Sequence, residues 1–171
     1  AKPAGQLKIT ITPNDKEQTL IISDNGIGMN KDDLINHIGT IAKSGTADFV
    51  NNVKDNGSAF DLIGQFGVGF YSAFMISKLV TVESKKAGEE KAYSWISSGA
   101  DGYIVEECEK DSCGTKIVLD LKDNTEDENF DSYLDIYFIK SIVKKYSDYI
   151  RYPIKMDIIR KVKKDGTENE Y

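Results

Sequence analysis

Two runs of β-forming residues, LKITITP and TLIIS, flank the polar stretch NDKEQ, and the pattern predicts a strand hairpin from Leu7 to Ser23. Asp24 then stands at a strand end. In NKDDLINHI, Asn30 is placed as an N-cap with Asp33 three residues on, and Leu34, Ile35 and Ile38 supply the apolar positions of a short helix. From Gly39 to Gly69 small polar stretches alternate with a modest helix near Ala47 to Val53, the rhythm of a mobile cover rather than a core. Beyond Val68, VGFYSAFMISK is apolar enough to predict a buried helix. LVTVESK, KAYSWIS, YIVEE and TKIVLDL are then short β-branched and aromatic runs separated by Gly, Asp and Ser, which predicts consecutive antiparallel strands. A helix is expected around Ser132 to Tyr149, where Leu134, Phe138, Ile142 and Tyr146 recur every fourth residue beside Ile139 and Val143. YPIKMDII closes the chain with a strand. Strands in runs, with helices grouped apart, predict an α+β layer: one sheet with helices on one face.

Composition narrows the picture without changing it. With 171 residues, 40% of them hydrophobic, the chain is long enough for one well-buried domain. A net charge of −6 argues against a nucleic-acid surface, which would need a basic patch. The densest basic run, Lys161, Lys163 and Lys164, lies among Asp165, Glu168 and Glu170, as in a solvated tail. Cys108 and Cys113 are too few for a disulfide framework, and with the lone His37 they do not complete a tetrahedral zinc site. No signal peptide, bilayer-spanning run or lipidation signal is visible, so a reducing cytoplasm is the expected setting. The opening AKPAGQ hardly resembles a natural start, and a fragment that has lost a targeting sequence fits it too.

Chemistry gathers around glycines. In GQFGVGFYSAF, Gly64, Gly67 and Gly69 precede an apolar helical run; bare backbone amides before a helix form a nest that suits a polyphosphate. Tight turns and close helix packing are the competing use of the same glycines. The spacing matches neither the P-loop nor the dinucleotide fingerprint, and no protein-kinase signature accompanies it. In SDNGIGM, the Asp24 carboxylate followed by two glycines offers an acceptor to an exocyclic amine and room for a flat ring, although Asp-Asn-Gly is equally an ordinary Asx turn. GTIAKSGT places Lys43 between hydroxyls and glycines, either as a movable charge for phosphate or as a solvated surface lysine.

Taken in order, SDNGIGM, GTIAKSGT, GQFGVGFYSAF and CGTKIVL resemble the N-terminal ATP-binding domain of the heat-shock protein 90 chaperone family, in its bacterial cytosolic type, from about Leu7 to Ile158. The resemblance implies a Bergerat-type (GHKL) ATPase fold, an α+β two-layer sandwich with a mixed, mostly antiparallel sheet, helices on one face and a mobile lid over about 39–69. It implies ATP or ADP with Mg2+ as ligands. Asp24 would bind the adenine amine, Gly28 and Thr115 would help through ordered waters, and Met29 and Ile117 would form apolar walls. Lys43 would approach the phosphates, and Gly67, Val68, Gly69 and Phe70 would offer backbone amides to them. His37 falls where the family usually carries an asparagine near the ribose; an imidazole hydrogen bond and a tolerated surface substitution both fit. Trp95 belongs to the sheet core rather than to the site.

The family's first helix, with the glutamate that activates water and the asparagine that helps hold magnesium, should precede Leu7, and the sequence supplies neither. No catalytic base and no metal ligand are nominated. The expectation is an N-terminally truncated domain over 1–158, followed by a charged linker over 159–171. It would be monomeric and would bind nucleotide without efficient hydrolysis, while its parent is an ATP-dependent chaperone with client proteins and a homodimer partner. Three rivals remain: a histidine-kinase-type catalytic domain, which the lid and glycine motifs do not fit; a regulatory nucleotide-binding module without turnover; and a DNA-repair ATPase.

Overall fold

A computed structural model describes residues 5–39, 69–148 and 150–157. The expected helix over 47–53, Lys43, Gly67, Val68 and the linker over 159–171 lie outside the described residues.

The N-terminal hairpin forms as expected. β1 (Ile9–Asn14) and β2 (Thr19–Asp24) pair antiparallel, Ile9 opposite Asp24, so Asp24 ends its strand. Asn30 caps α1 (Lys31–Asp33) in a reciprocal capping box with Asp33, and the chain continues as a π-helical segment, Leu34–Gly39. The later strands are β3 (Ser77–Lys85), β4 (Ala92–Ser97), β5 (Ile104–Cys108), β6 (Gly114–Leu121) and β7 (Ile154–Met156).

Three expectations are corrected. First, the strands after residue 77 are antiparallel as expected but do not all pair in chain order: the sheet order is β5-β4-β3-β6-β2-β1-β7. β6 leaves β5 at the edge and inserts between β3 and β2, pairing antiparallel with both. The burial of Thr115, Leu119 and Leu121 suits a central strand, whereas β5 has no buried residue. β7 adds in parallel to β1, which makes the sheet mixed.

Second, the buried helix expected beyond Val68 is short. A 3-10 turn, Gly69–Ser72, leads into α2 (Ala73–Ile76), and Ser77 is already extended. The Ser77 hydroxyl donates to the Ala73 carbonyl at 2.5 Å, and the Lys122 amide takes the Ile76 carbonyl at 2.9 Å. The residue just after β6 therefore takes the Ile76 carbonyl, which a longer helix would have used.

Third, the C-terminal helix starts later and faces differently. Leu134 lies in a 3-10 turn, Phe130–Leu134; Asp135 then accepts the Phe138 amide at 2.7 Å and caps α3 (Ile136–Tyr146). That cap resets the helical phase. Ile139 is buried, with Val143 packed beside the core, while Phe138 and Tyr146 are exposed.

Cross-strand pairs share a face, so register shows how the core is built. One row runs Trp95–Val82–Ile117–Ile22–Ile11–Met156 across six strands, and Val80, Leu119 and Leu20 belong to the next row on that face. Leu34, Tyr71, Phe74, Leu134 and Ile139 cover these strands, giving the two-layer arrangement. Trp95, at 0% exposure, stacks on Tyr103 at 5.7 Å between centroids and meets Phe70 edge-on at 5.6 Å, as expected of a core residue. The opposite face carries polar pairs such as Lys116 and Glu83, 3.1 Å apart.

Candidate functional site

Asp24, Thr115 and Ser84 form one cross-strand row. Asp24 on β2 is opposite Thr115 on β6, and Thr115 is opposite Ser84 on β3. Three side chains from distant parts of the chain thereby reach the same face at the same end of the sheet, with Ile117 two positions inward from Thr115.

The Asp24 carboxylate is oriented locally. Its Oδ1 accepts the Gly26 amide at 2.8 Å, the Asx turn that the sequence allowed, and Oδ2 receives no hydrogen bond among the described residues. The two readings of SDNGIGM are thus compatible: the turn fixes one oxygen and leaves the other able to accept. Asn25 holds the far side of the turn, its Oδ1 accepting the Lys8 amide at 2.7 Å and its Nδ2 donating to the Gln6 carbonyl at 3.0 Å.

Two glycines allow the backbones at this corner to touch. At Gly28, with φ of +66°, a Cβ would stand 1.9 Å from the Lys85 carbonyl oxygen. At Gly114, a Cβ would stand 2.2 Å from the Asp24 carbonyl oxygen. Backbone contact of this kind requires glycine. Gly114, the glycine of CGTKIVL, lies outside the expected set; a glycine opening the strand whose next residue pairs with Asp24 is the signal that could have found it.

Ser84 is the second residue that sequence reasoning missed. It is fully buried, and its Oγ accepts the Met29 amide at 2.8 Å, lies 2.9 Å from Thr115 Oγ1 and 3.1 Å from the Gly114 carbonyl oxygen. The available signal was a hydroxyl continuing the inward alternation Val80, Val82, Ser84.

The turn after β3 braces the segment leading from this corner. The Ala87 amide donates to the Ile27 carbonyl at 2.7 Å, Lys86 Nζ donates to Asp33 Oδ2 at 2.8 Å, and Asn30 Nδ2 donates to Glu89 Oε1 at 3.0 Å. Hydrogen bonds from Lys86 and from the Asn30 amide hold the Asp33 carboxyl below its ordinary value of 3.8. A lowered carboxyl contributes stability that is full above the unfolded value and is lost as pH falls through the folded one. In thermal melts, the gap between wild type and Asp33→Asn should therefore hold constant above about pH 5 and close as pH falls below 3.8. A gap that ignores acid would show that the charge of Asp33 contributes nothing to the brace.

The structure thus joins Asp24, Gly28, Met29, Thr115 and Ile117 of the expected set. His37 is exposed on the π-helical segment, one turn beyond Asp33. Gly69 is exposed at the start of its 3-10 turn, while the Phe70 ring packs into the aromatic core. Tyr71 Oη donates to the Ile38 carbonyl at 2.5 Å and ties these two segments together. Among the described residues no group of three or more His, Cys, Asp or Glu is placed to hold a metal, so none is assigned to magnesium. No described helix is long and apolar enough to cross a membrane.

Comparison with known proteins bears on the same region. Residues 3–124 match the family described as histidine kinase-, DNA gyrase B-, and HSP90-like ATPase. The chain is 56% identical over 165 residues to "Chaperone protein HtpG" of Bacillus subtilis (strain 168), covering 95% of this chain and 26% of that protein. It is 54% identical, with the same coverage, to proteins of that name from Clostridium perfringens (strain ATCC 13124) and Halalkalibacterium halodurans. The chain therefore spans about a quarter of the length of these relatives.

Proposed function

Because this chain belongs to the histidine kinase-, DNA gyrase B-, and HSP90-like ATPases, we propose that it is the ATP/ADP-binding domain of an ATP-dependent chaperone of the heat-shock protein 90 type. The observation that carries this reading is the Asp24 carboxylate: pinned through Oδ1, open at Oδ2, and on the same sheet face as Thr115 beside two obligatory glycines. An acceptor fixed in that way suits the exocyclic amine of adenine. Met29 and Ile117, both packed against the core, supply apolar walls, and Gly28 and Thr115 lie where ordered waters would bridge to the base. Lys43 and the amides of Gly67, Val68, Gly69 and Phe70 are assigned to the phosphates, and His37 to the ribose side, on motif alone.

In the longer protein, nucleotide binding would drive a clamp cycle of paired domains on client proteins in the cytoplasm, with Mg2+ accompanying the phosphates. For this chain the reading is nucleotide binding with little turnover, and a general base, which typically supplies about 10²–10⁴-fold of rate, is not among the residues assigned to the site. Calorimetric titration of ADP into the chain, with and without magnesium, tests the reading. Saturable binding, with ATP turnover near background, is expected. A folded chain that takes up no ADP overturns it.

A further inference from the structure

We propose that the open face of the sheet, the one turned away from the helices, docks a second copy of this chain, face to face and with the strands of the two sheets aligned. The inference is independent of the nucleotide reading, because the Asp24 row lies on the other face.

Register places an apolar stripe where an open face should be polar. Residues one position away from the core rows point away from the helices. The first such row crosses the sheet from Glu106 on β5, through Glu83 and Lys116, to Lys155 on β7, and is charged or hydroxylic throughout, as a solvated face requires. The next row on that face is different. Ile104, Ile96, Thr81, Val118, Ile21 and Thr12 lie side by side on six strands. Ile104 is 63% exposed, and neither it nor Ile96, Val118 or Ile21 belongs to the core or packs against it. Aliphatic side chains gathered in one row on an uncovered sheet become dry only against a partner, and a second sheet has the matching shape.

Charge selects the occupant. In the middle of the polar row Glu83 and Lys116 already pair with each other at 3.1 Å. Its two ends do not: Glu106 on one edge strand and Lys155 on the other are both exposed, and neither has an ion pair among the described residues. Six strand spacings, about 29 Å, separate them. A two-fold axis along β6, in the plane of the contact, sets the β5 of each copy over the β7 of the other, so Glu106 meets Lys155 at both edges. The same rotation stacks Val118 on Val118, Thr81 on Ile21 and Ile96 on Thr12, in the aligned packing of two sheets about 10 Å apart. An axis across the strands would put Glu106 on Glu106 and Lys155 on Lys155, a like-charge contact at each edge. Two rows over that width cover on the order of 400 Å² per copy, below the usual size of a stable interface, so the dilute chain stays monomeric and the dimer fills only toward about 1 mM.

Sedimentation equilibrium of the chain from about 10 μM to about 1 mM, without nucleotide, tests this, with melts to verify folding. The average mass of wild type should climb from monomer toward dimer. Val118→Asp, which sets two carboxylates together on the axis, should hold the chain monomeric throughout. Glu106→Lys and Lys155→Glu should each weaken self-association about tenfold, because each turns two attractive contacts into repulsive ones. Mixed in equal amounts, these two variants should associate as well as wild type, since every edge contact is again between opposite charges. Should Val118→Asp fail to fold, the two charge variants, both at exposed edge positions, carry the test. Wild type that stays monomeric at about 1 mM overturns the second copy as occupant and leaves the stripe to a different protein. Self-association that folded Val118→Asp does not weaken, or a mixture no better than its separate variants, puts the contact on another surface and overturns the proposal as well.

Discussion

Gly28→Ala should lower the thermal midpoint by about 10 °C and abolish nucleotide binding at ordinary concentrations. Two costs combine. An L-residue at φ of +66° pays about 1–2 kcal/mol, and the new Cβ falls 1.9 Å from the Lys85 carbonyl oxygen. That oxygen belongs to a backbone held by strands on both sides, Lys85 being opposite Ala92 on β4 and Gly114 on β6. Yielding would mean opening the sheet, so overpacking adds about 1–3 kcal/mol. For a domain of this size each kcal/mol moves the midpoint by about 2–4 °C. Gly88→Ala is the matched control: its φ is also positive, +87°, but nothing stands within 4 Å of its Cβ. If the two variants melt together, the backbone contact is not what the site requires.

The second large effect separates binding from folding. Asp24→Asn should leave the melt nearly unchanged, since the amide oxygen still accepts the Gly26 amide and keeps the turn. Holding that oxygen in the turn directs the NH2 group outward, so a donor replaces the acceptor where the adenine amine would arrive. Hydrogen bonds involving a charged group contribute about 1.5–3 kcal/mol, and ADP affinity should fall about a hundredfold. Calorimetry on the two proteins decides it. An asparagine variant that binds within about threefold of wild type would remove Asp24 from the site.

What could be read in the sequence was local. The hairpin, the Asn30 cap and the position of Asp24 follow from neighbours within a few residues, where alternation and turn chemistry act. The errors share the opposite cause. Nothing near Gly114 states that β6 passes over β5 and pairs between β2 and β3, and the competition that ends α2 at Ile76 comes from the Lys122 amide, far along the chain. In the C-terminal helix, the stripe through Leu134 and Phe138 spans the Asp135 cap, and apolar spacing counted across a cap follows no single helix face. The site divides in the same way. Asp24 and Gly28 are visible because their motif is contiguous, whereas Ser84 matters through Met29 and Thr115, which only the fold brings beside it.

The central place of β6 also bears on how the protein is made. In synthesis order, β1 and β2 come first and β3, β4 and β5 follow, but the two groups share no strand pairing until β6 joins them. Closing long loops before any pairing compensates for them slows folding, so this joining is a natural slow step. The row from Asp24 through Thr115 to Ser84 crosses that seam, and it does not exist in a nascent chain that has reached only β5. On the proposed reading, a nucleotide bound at that row would recognise only the joined sheet, and by mass action it would favour that state over the half-assembled ones.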